Sequence, residues 1–295
     1  MIIVKLQGGV GNQMFQYAAG KQLAHIHQTT LKLDINSFER DPLREYALQF
    51  FNIDAEIAVN NEIDELTFGH QIHDRYRKRI LWYLPFLFPH HFRERENEFN
   101  EKFFRLNDDI YLEGYFQSEK YFKKIENKIR NDFKLKVSLS TNQLEIKSFM
   151  CCNNSVSIHV RRGDYVNDSK INKIHYVCDL DYYKRCVEYL IEKVSDPYFF
   201  VFSDDLQWVK DNLKISAPIF FINSQINKQA IQDVNDLMLM SSCKHHIISN
   251  SSFSWWGSWL SNYEKRIIVA PSLWNRNSKK KNMIFLDHWI LVKCG

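Results

Sequence analysis

Ile2-Ile3-Val4-Lys5-Leu6-Gln7-Gly8-Gly9-Val10-Gly11-Asn12-Gln13 opens the chain with an apolar run that stops at a glycine pair and gives way to a longer helix-like segment. Residues 2 to 6 are aliphatic enough to form a buried strand. From Gln13 to His27, Phe15, Ala19, Leu23 and Ile26 share one face at helical spacing. Leu31 to Ile35 returns to strand character, so the opening predicts a right-handed βαβ unit with its glycine loop at a strand's carboxyl end. Ligands collect at that edge of a doubly wound sheet. Gly9 and Gly11 fill two positions of a dinucleotide fingerprint, but Met14 stands in the third and no Gly-Lys-Ser/Thr follows. A nicotinamide-dependent oxidoreductase is therefore disfavoured, and the glycines serve either a ligand or merely a tight turn.

Strand and helix alternate again in the second half. Strands are expected at 155–161, 198–203, 218–222, 245–249 and 266–270, with helices at 181–194, 206–212 and 229–243 between them. This pattern predicts a second parallel sheet with helices on both faces, and hence two α/β lobes, 1–150 and 151–295. The region between is less regular. There Tyr111 to Ser118 reads as a strand and turn, and Arg75, Arg77, Lys78 and Arg79 precede an aromatic run, Ile80 to Pro89. Basic flanks beside aromatics suit a membrane surface. Two prolines and a short length suit a packed helix and loop lid.

Composition narrows the function classes. The 295 residues are 45% hydrophobic with a formal net charge of +4, a mild excess that suits an anionic small molecule and falls short of a nucleic-acid footprint. No nucleic-acid partner is expected. Six cysteines without a CxxC pair, and an N-terminus that reads directly as a strand, predict reduced thiols in a cytoplasm. No apolar run approaches the roughly 20 residues of a membrane span.

Three segments carry chemistry. In His159-Val160-Arg161-Arg162-Gly163-Asp164 two guanidinium forks follow a strand directly, a match for phosphate oxygens, with Asp164 available to hold one of them. Ser203-Asp204-Asp205 follows the next strand, where carboxylates can accept from a guanine edge or ribose, hold a metal, or cap a helix. Ser249 to Ser261 runs thirteen residues without an acid or base, and its serines stand where a helix begins, as in a phosphate cradle or an ordinary serine cap. Trp255, Trp256 and Trp259 read as core. Asp181 reads as an N-cap rather than as half of an Asp179/Asp181 metal pair, and His245 and His246 point oppositely on their strand, making poor joint ligands.

Taken in order and spacing, Gly8 to Tyr17, His159 to Tyr165, Phe202 to Asp205 and Ser249 to Leu260, with Gly114-Tyr115-Phe116-Gln117-Ser118 between them, resemble the bacterial α1,2-fucosyltransferases of glycosyltransferase family 11. The resemblance implies a GT-B fold of two Rossmann-like lobes around a cleft, the first on the acceptor side and the second binding GDP-fucose. It implies transfer of L-fucose, with inversion, to the 2-hydroxyl of a terminal β-galactoside during O-antigen or lipopolysaccharide synthesis. Neither metal nor cofactor is implied. The protein is expected in the cytoplasm, and peripheral contact of residues 80–89 with the inner membrane stands as the alternative to their packing as a lid.

Carried over by position, Arg161 clamps the donor diphosphate and Arg162 supports it. His159 with Asp204 or Asp205 meets the guanosine, and Ser251, Ser252 and Phe253 form the phosphate-binding turn. Asn12, in the loop of Gly9 and Gly11, faces them. Removal of the acceptor proton needs a base, for which Asp164 ranks ahead of Asp34 and Glu113. A different linkage or acceptor is the nearest alternative, and a noncatalytic glycan-binding protein a more distant one.

Overall fold

The computed structural model describes residues 1–67, 80, 87–94, 99–162, 178–222, 230–275 and 283–294. It divides into two units, Met1–Val137 and Ser138–Gly295. In the first unit β1 (Ile2–Lys5) leads through Gly8 and Gly9 into α1 (Val10–His27) and back to β2 (Leu31–Asp34), the expected βαβ motif. β3 (Glu56–Ile57), α2 (Asn60–Thr67), β4 (His91–Arg93) and β5 (Ile110–Glu113) follow, and the parallel sheet runs β3-β2-β1-β5-β4. β1 therefore sits centrally, with β2 on one side and β5 on the other, so the glycine loop that follows it leaves from the middle of the sheet's carboxyl edge.

α1 is buried over most of its surface, Gln13, Gln16 and Gln22 included, and not along one stripe as its spacing suggests. The glutamines are tolerated there because two of them satisfy backbone groups. The Gln13 amide donates to the carbonyls of Gly8 (2.9 Å) and Glu45 (2.8 Å) and accepts from Ala47 N–H. Gln16 accepts from Gln7 N–H (3.0 Å) and donates to the Gly114 carbonyl (3.1 Å). Ile26, expected on the apolar face, is 41% exposed at the helix end.

The second unit begins before the predicted boundary of 150/151. α4 (Thr141–Cys152), the next long helix after α3 (Glu126–Asp132), starts with a capping box between Ser140 and Gln143 and runs straight into β6 (Asn154–Val160). Ser155 donates back to the Met150 carbonyl (2.7 Å), so helix and strand form one block. β7 (Pro197–Ser203), β8 (Ile219–Phe221), β9 (His245–Ile247), β10 (Ile268–Pro271) and β11 (Ile290–Val292) complete a parallel sheet ordered β11-β10-β9-β6-β7-β8. Between them lie α5 (Leu180–Lys193), α6 (Leu206–Asn212), α7 (Ala230–Ser241) and α8 (Ser252–Leu260).

α5 is capped by Asp179, which accepts from Tyr182 N–H at 2.7 Å, whereas the sequence reading gave that role to Asp181. The helix begins one residue earlier than its pattern suggests, leaving Asp181 in the first turn. Val156, Ile158 and Val160 of β6 pack with Phe199 and Val201 of β7 at essentially zero exposure, each such side chain stabilising the fold by about 1.5–3 kcal/mol. Trp255, Trp256 and Trp259 are core, as expected. No helix among the described residues is long and apolar enough to cross a membrane.

Candidate active site

Three adjacent parallel strands of the second unit, β9, β6 and β7, end at one edge and deliver the three chemical segments together. β6 releases Arg161 and Arg162, β7 releases Ser203 to Asp205, and β9 releases Ser249 to Phe253. Neighbouring strands reached by connections in opposite directions create such a meeting point.

Arg161 Nη1 lies 3.1 Å from Asp204 Oδ2, with both side chains about a quarter exposed. Arg162 is placed differently. Its backbone N–H donates to Asp204 Oδ1 (2.8 Å), its Nε approaches Asp205 Oδ2 at 3.4 Å, and its guanidinium carbon stands 3.7 Å from the centre of the Trp208 ring. Asp205 also caps α6, accepting from Trp208 N–H at 3.1 Å. The acidic pair thus orders the arginines and starts a helix. Capping was one reading of it; contact with a guanine was another, and Asp204 and Asp205 are here both engaged by protein. Trp208 is a site residue the sequence reading missed, although its place three residues after the capping aspartate fits a helix's first turn.

His159 is buried, its Nδ1 2.8 Å from Ser249 Oγ and its ring 5.1 Å from that of Phe253. Burial, with a contribution from the Arg161 charge, lowers its pKa to about 3, so the imidazole is neutral at physiological pH. Ser251 occupies the N-cap of α8 but its side chain makes no capping hydrogen bond, and the first turn contains no acid. Ser252 and Phe253 are partly exposed in that turn. The positive end of the helix therefore lies uncompensated by any carboxylate of its own first turn. His245 and His246 do have separate partners: Ile267 N–H donates to His245 Nδ1, and His246 Nδ1 meets Ser157 Oγ.

In the first unit Gly8 adopts φ +78°, and a Cβ there would stand 2.8 Å from Asn12 Nδ2, so this glycine is required by both backbone and space. A Cβ on Gly9 would meet nothing within 4 Å, leaving the loop open to close approach. Gly11 is buried in the first turn of α1. Asn12 Oδ1 accepts from Gln117 Nε2 at 2.8 Å, tying the glycine loop to the turn after β5. The sequence reading quoted Gln117 but gave it no role.

Two of the three base candidates can be placed. Asp34 accepts from Tyr111 Oη (2.6 Å) and Asn36 N–H (3.0 Å). Glu113 pairs with Lys5 (3.2 Å) and His91 (3.3 Å); burial alone would raise its pKa, but these partners and Arg93 hold it well below the usual carboxylate range. A carboxylate so stabilised is a weak base. Asp164 lies outside the described residues, as does the aromatic segment apart from Ile80 and Leu87 to Pro89. Among the described residues no three His, Cys, Asp or Glu side chains converge as a metal site.

Solved structures with a similar fold include the α-1,6-fucosyltransferase NodZ soaked with GDP-fucose (TM-score 0.50, 14% identity, 88% of this chain and 92% of that one). A variant of Arabidopsis thaliana FUT1 in complex with GDP is similar at TM-score 0.53 and 11% identity, covering 91% of this chain and 70% of that one. The fold, two successive parallel α/β units, is of the GT-B type. Among curated proteins, an alpha-1,2-colitosyltransferase of Escherichia coli is 34% identical across 93% of this chain and 92% of its own. The O-antigen biosynthesis glycosyltransferase WbnK of Escherichia coli is 33% identical across 97% and 98%. Rat galactoside alpha-(1,2)-fucosyltransferase 1 is 24% identical across 86% and 61%. The family model for glycosyl transferase family 11 spans residues 1–293, and with two relatives above 30% identity over nearly their full length, the chain belongs to that family.

Proposed function

We propose that the protein is an inverting glycosyltransferase that moves L-fucose from GDP-fucose to the 2-hydroxyl of a terminal β-galactoside in bacterial O-antigen synthesis. The observation that carries this reading is the placement of Arg161, at the end of β6, and the acid-free start of α8, after the adjacent strand β9, on one sheet edge. Both are fixed positive groups suited to a diphosphate. The GDP-bound state of similar folds and the α-1,2 linkage named for a 34% identical relative support donor and linkage.

In the proposed reaction the acceptor 2-oxygen attacks the fucose anomeric carbon from the face opposite GDP. The bond from that carbon to the β-phosphate oxygen breaks, its electron pair stays on the phosphate, and the hydroxyl proton passes to a base, for which Asp164 remains first choice. Negative charge grows on the leaving oxygen, where the Arg161 guanidinium and the α8 N–H groups are most effective. Arg162 and Asp204 hold Arg161 in place. His159, neutral and fixed by Ser249, offers a ring nitrogen to the guanosine without adding charge, beside Phe253. Asn12, Gly9 and Gly11 are assigned to the same reaction from the first unit, and these roles make a metal dispensable.

Colitose, the 3-deoxy counterpart of L-fucose, is a second donor sugar to consider, favoured by the same 34% identical relative. A site that hydrogen-bonds the fucose 3-hydroxyl rejects the deoxy sugar by about 10⁴-fold, whereas an apolar site accepts both. Purified protein is to be incubated with GDP-fucose or GDP-colitose and a panel of β-galactosides, with and without EDTA, followed by linkage analysis. Transfer to O2 that survives EDTA is expected. No transfer from either donor overturns the reading, and loss with EDTA overturns its metal-free form. Binding of a galactoside without binding of GDP or donor would identify a glycan-binding protein instead.

A further inference from the structure

Glu94 stands just beyond β4, at the carboxyl edge of the first sheet, and its carboxylate is turned onto the neighbouring turn after β5. Oε2 accepts both Tyr115 N–H and Phe116 N–H at 2.8 Å, while Tyr121 Oη lies 3.3 Å from Oε1. The turn needs this clasp because Phe116 holds φ +50°, a left-handed conformation costly for an aromatic residue. It also needs Gly114: a Cβ there would sit 2.5 Å from Glu94 Cβ and 2.9 Å from Oε2. The clasped turn then does two things. It leaves Tyr115 38% exposed, an aromatic face of the kind that stacks on the apolar side of a hexose, and it sends the Gln117 amide to Asn12 in the glycine loop.

The geometry points to Glu94 as a positioning residue for the acceptor sugar, fixing the Gly114–Gln117 turn so that Tyr115 and the Gln117–Asn12 pair meet a β-galactoside. The inference rests on the proposed transfer to a β-galactoside and on the acceptor-side role that the family resemblance implies for the first unit. Burial pushes the Glu94 pKa up to about 7, against the pull of the Phe116 and Tyr115 N–H groups and Tyr121. Ionised or neutral, Oε2 keeps two lone pairs for the two N–H donors, and a glutamine amide oxygen offers the same pair.

Glu94→Ala, Glu94→Gln, Gly114→Ala and Tyr115→Ala are to be compared in the full chain. The readouts are acceptor and donor KM, kcat, GDP affinity, and hydrogen exchange of the Tyr115 and Phe116 amides. Loss of both hydrogen bonds to the turn raises the acceptor KM by about tenfold or more in Glu94→Ala, with GDP affinity and donor KM unchanged. The same split is expected in Gly114→Ala, whose new methyl displaces the turn while leaving the carboxylate intact, and in Tyr115→Ala. Glu94→Gln restores the acceptor KM to within about threefold, because its oxygen keeps both bonds.

An unchanged acceptor KM in Glu94→Ala or Gly114→Ala overturns the inference. So does a fall in kcat of about a hundredfold or more in Glu94→Gln, which would make the carboxylate the base itself. Amide exchange reads the clasp with no sugar present, so failure of the wild type to use any galactoside sinks the acceptor assignment separately, while unprotected Tyr115 and Phe116 amides sink the clasp.

Discussion

Arg162 stands over the Trp208 ring and gives its backbone N–H to Asp204, whereas Arg161 offers a guanidinium nitrogen to the same carboxylate. In the proposed reaction adjacent residues of one type divide the work, Arg161 answering the developing charge and Arg162 bracing the loop. Arg161→Ala is expected to lower kcat/KM by about 10²–10³ through loss of a charge-stabilising donor, with the melting temperature little altered. Arg162→Lys is expected to do the reverse, because an ammonium cannot reproduce a stacked planar fork. Its melting temperature falls by several degrees, reflecting about 1–2 kcal/mol of lost stacking, and kcat/KM falls less than in Arg161→Ala. Steady-state kinetics with thermal denaturation on both variants check the division; equal kinetic losses would remove it.

At the scale of elements, α8 joins two demands that a single substitution separates. An acid in a helix's first turn stabilises that helix by about 0.3–1 kcal/mol, yet in the proposed donor complex it would confront a diphosphate. Ser252→Asp is accordingly expected to hold or slightly raise the melting temperature while weakening GDP binding by about tenfold or more, measured by calorimetry. Farther along the helix Gly257 lies against α7, where a Cβ would meet Met240 Sδ at 2.5 Å and Cγ at 2.8 Å. Gly257→Ala overpacks that contact and is expected to cost about 1–3 kcal/mol in denaturant unfolding, moderated by the flexible methionine.

The same elements show what a linear pattern can convey. β1, α1, β6 and β7 were legible within a few residues because buried strands and glycine turns leave local signatures, and the three segments at the second sheet's edge were legible because each follows such a strand. β4 and β11 were missed: three residues without alternation carry no period. Glu94 was missed for a related reason, since its partners are backbone N–H groups more than twenty residues away, which no side-chain pattern records. The start of the second unit was misplaced although Ser140 and Gln143 spell a capping box, because the exposed helix they begin has little apolar periodicity to announce it.

Across the molecule the buried histidines are unevenly shared. His159, His245 and His246 all lie at β6 or β9 in the second unit, and burial lowers their pKa values to about 3, 4 and 3. A lowered histidine value means that the unfolded chain binds protons near pH 6.5 which the folded unit refuses. The stability from these groups is fully present above about pH 6.5 and is lost as pH falls toward the folded values. Six of the seven tryptophans, Trp208, Trp255, Trp256, Trp259, Trp274 and Trp289, belong to the same unit, so intrinsic tryptophan fluorescence reports on it almost alone. The fluorescence melting temperature is expected to fall steadily between about pH 6.5 and 4.5. His246→Asn, which removes one titrating ring beside Ser157, is expected to flatten that dependence even while lowering the melting temperature at pH 7.5, since an amide can meet the Ser157 hydroxyl but carries no proton to refuse. A melting temperature that stays level from pH 7 to 4.5 in the wild type would mean that these imidazoles take up protons in the folded unit, and the neutral His159 assigned to the donor site would have to be given up with it.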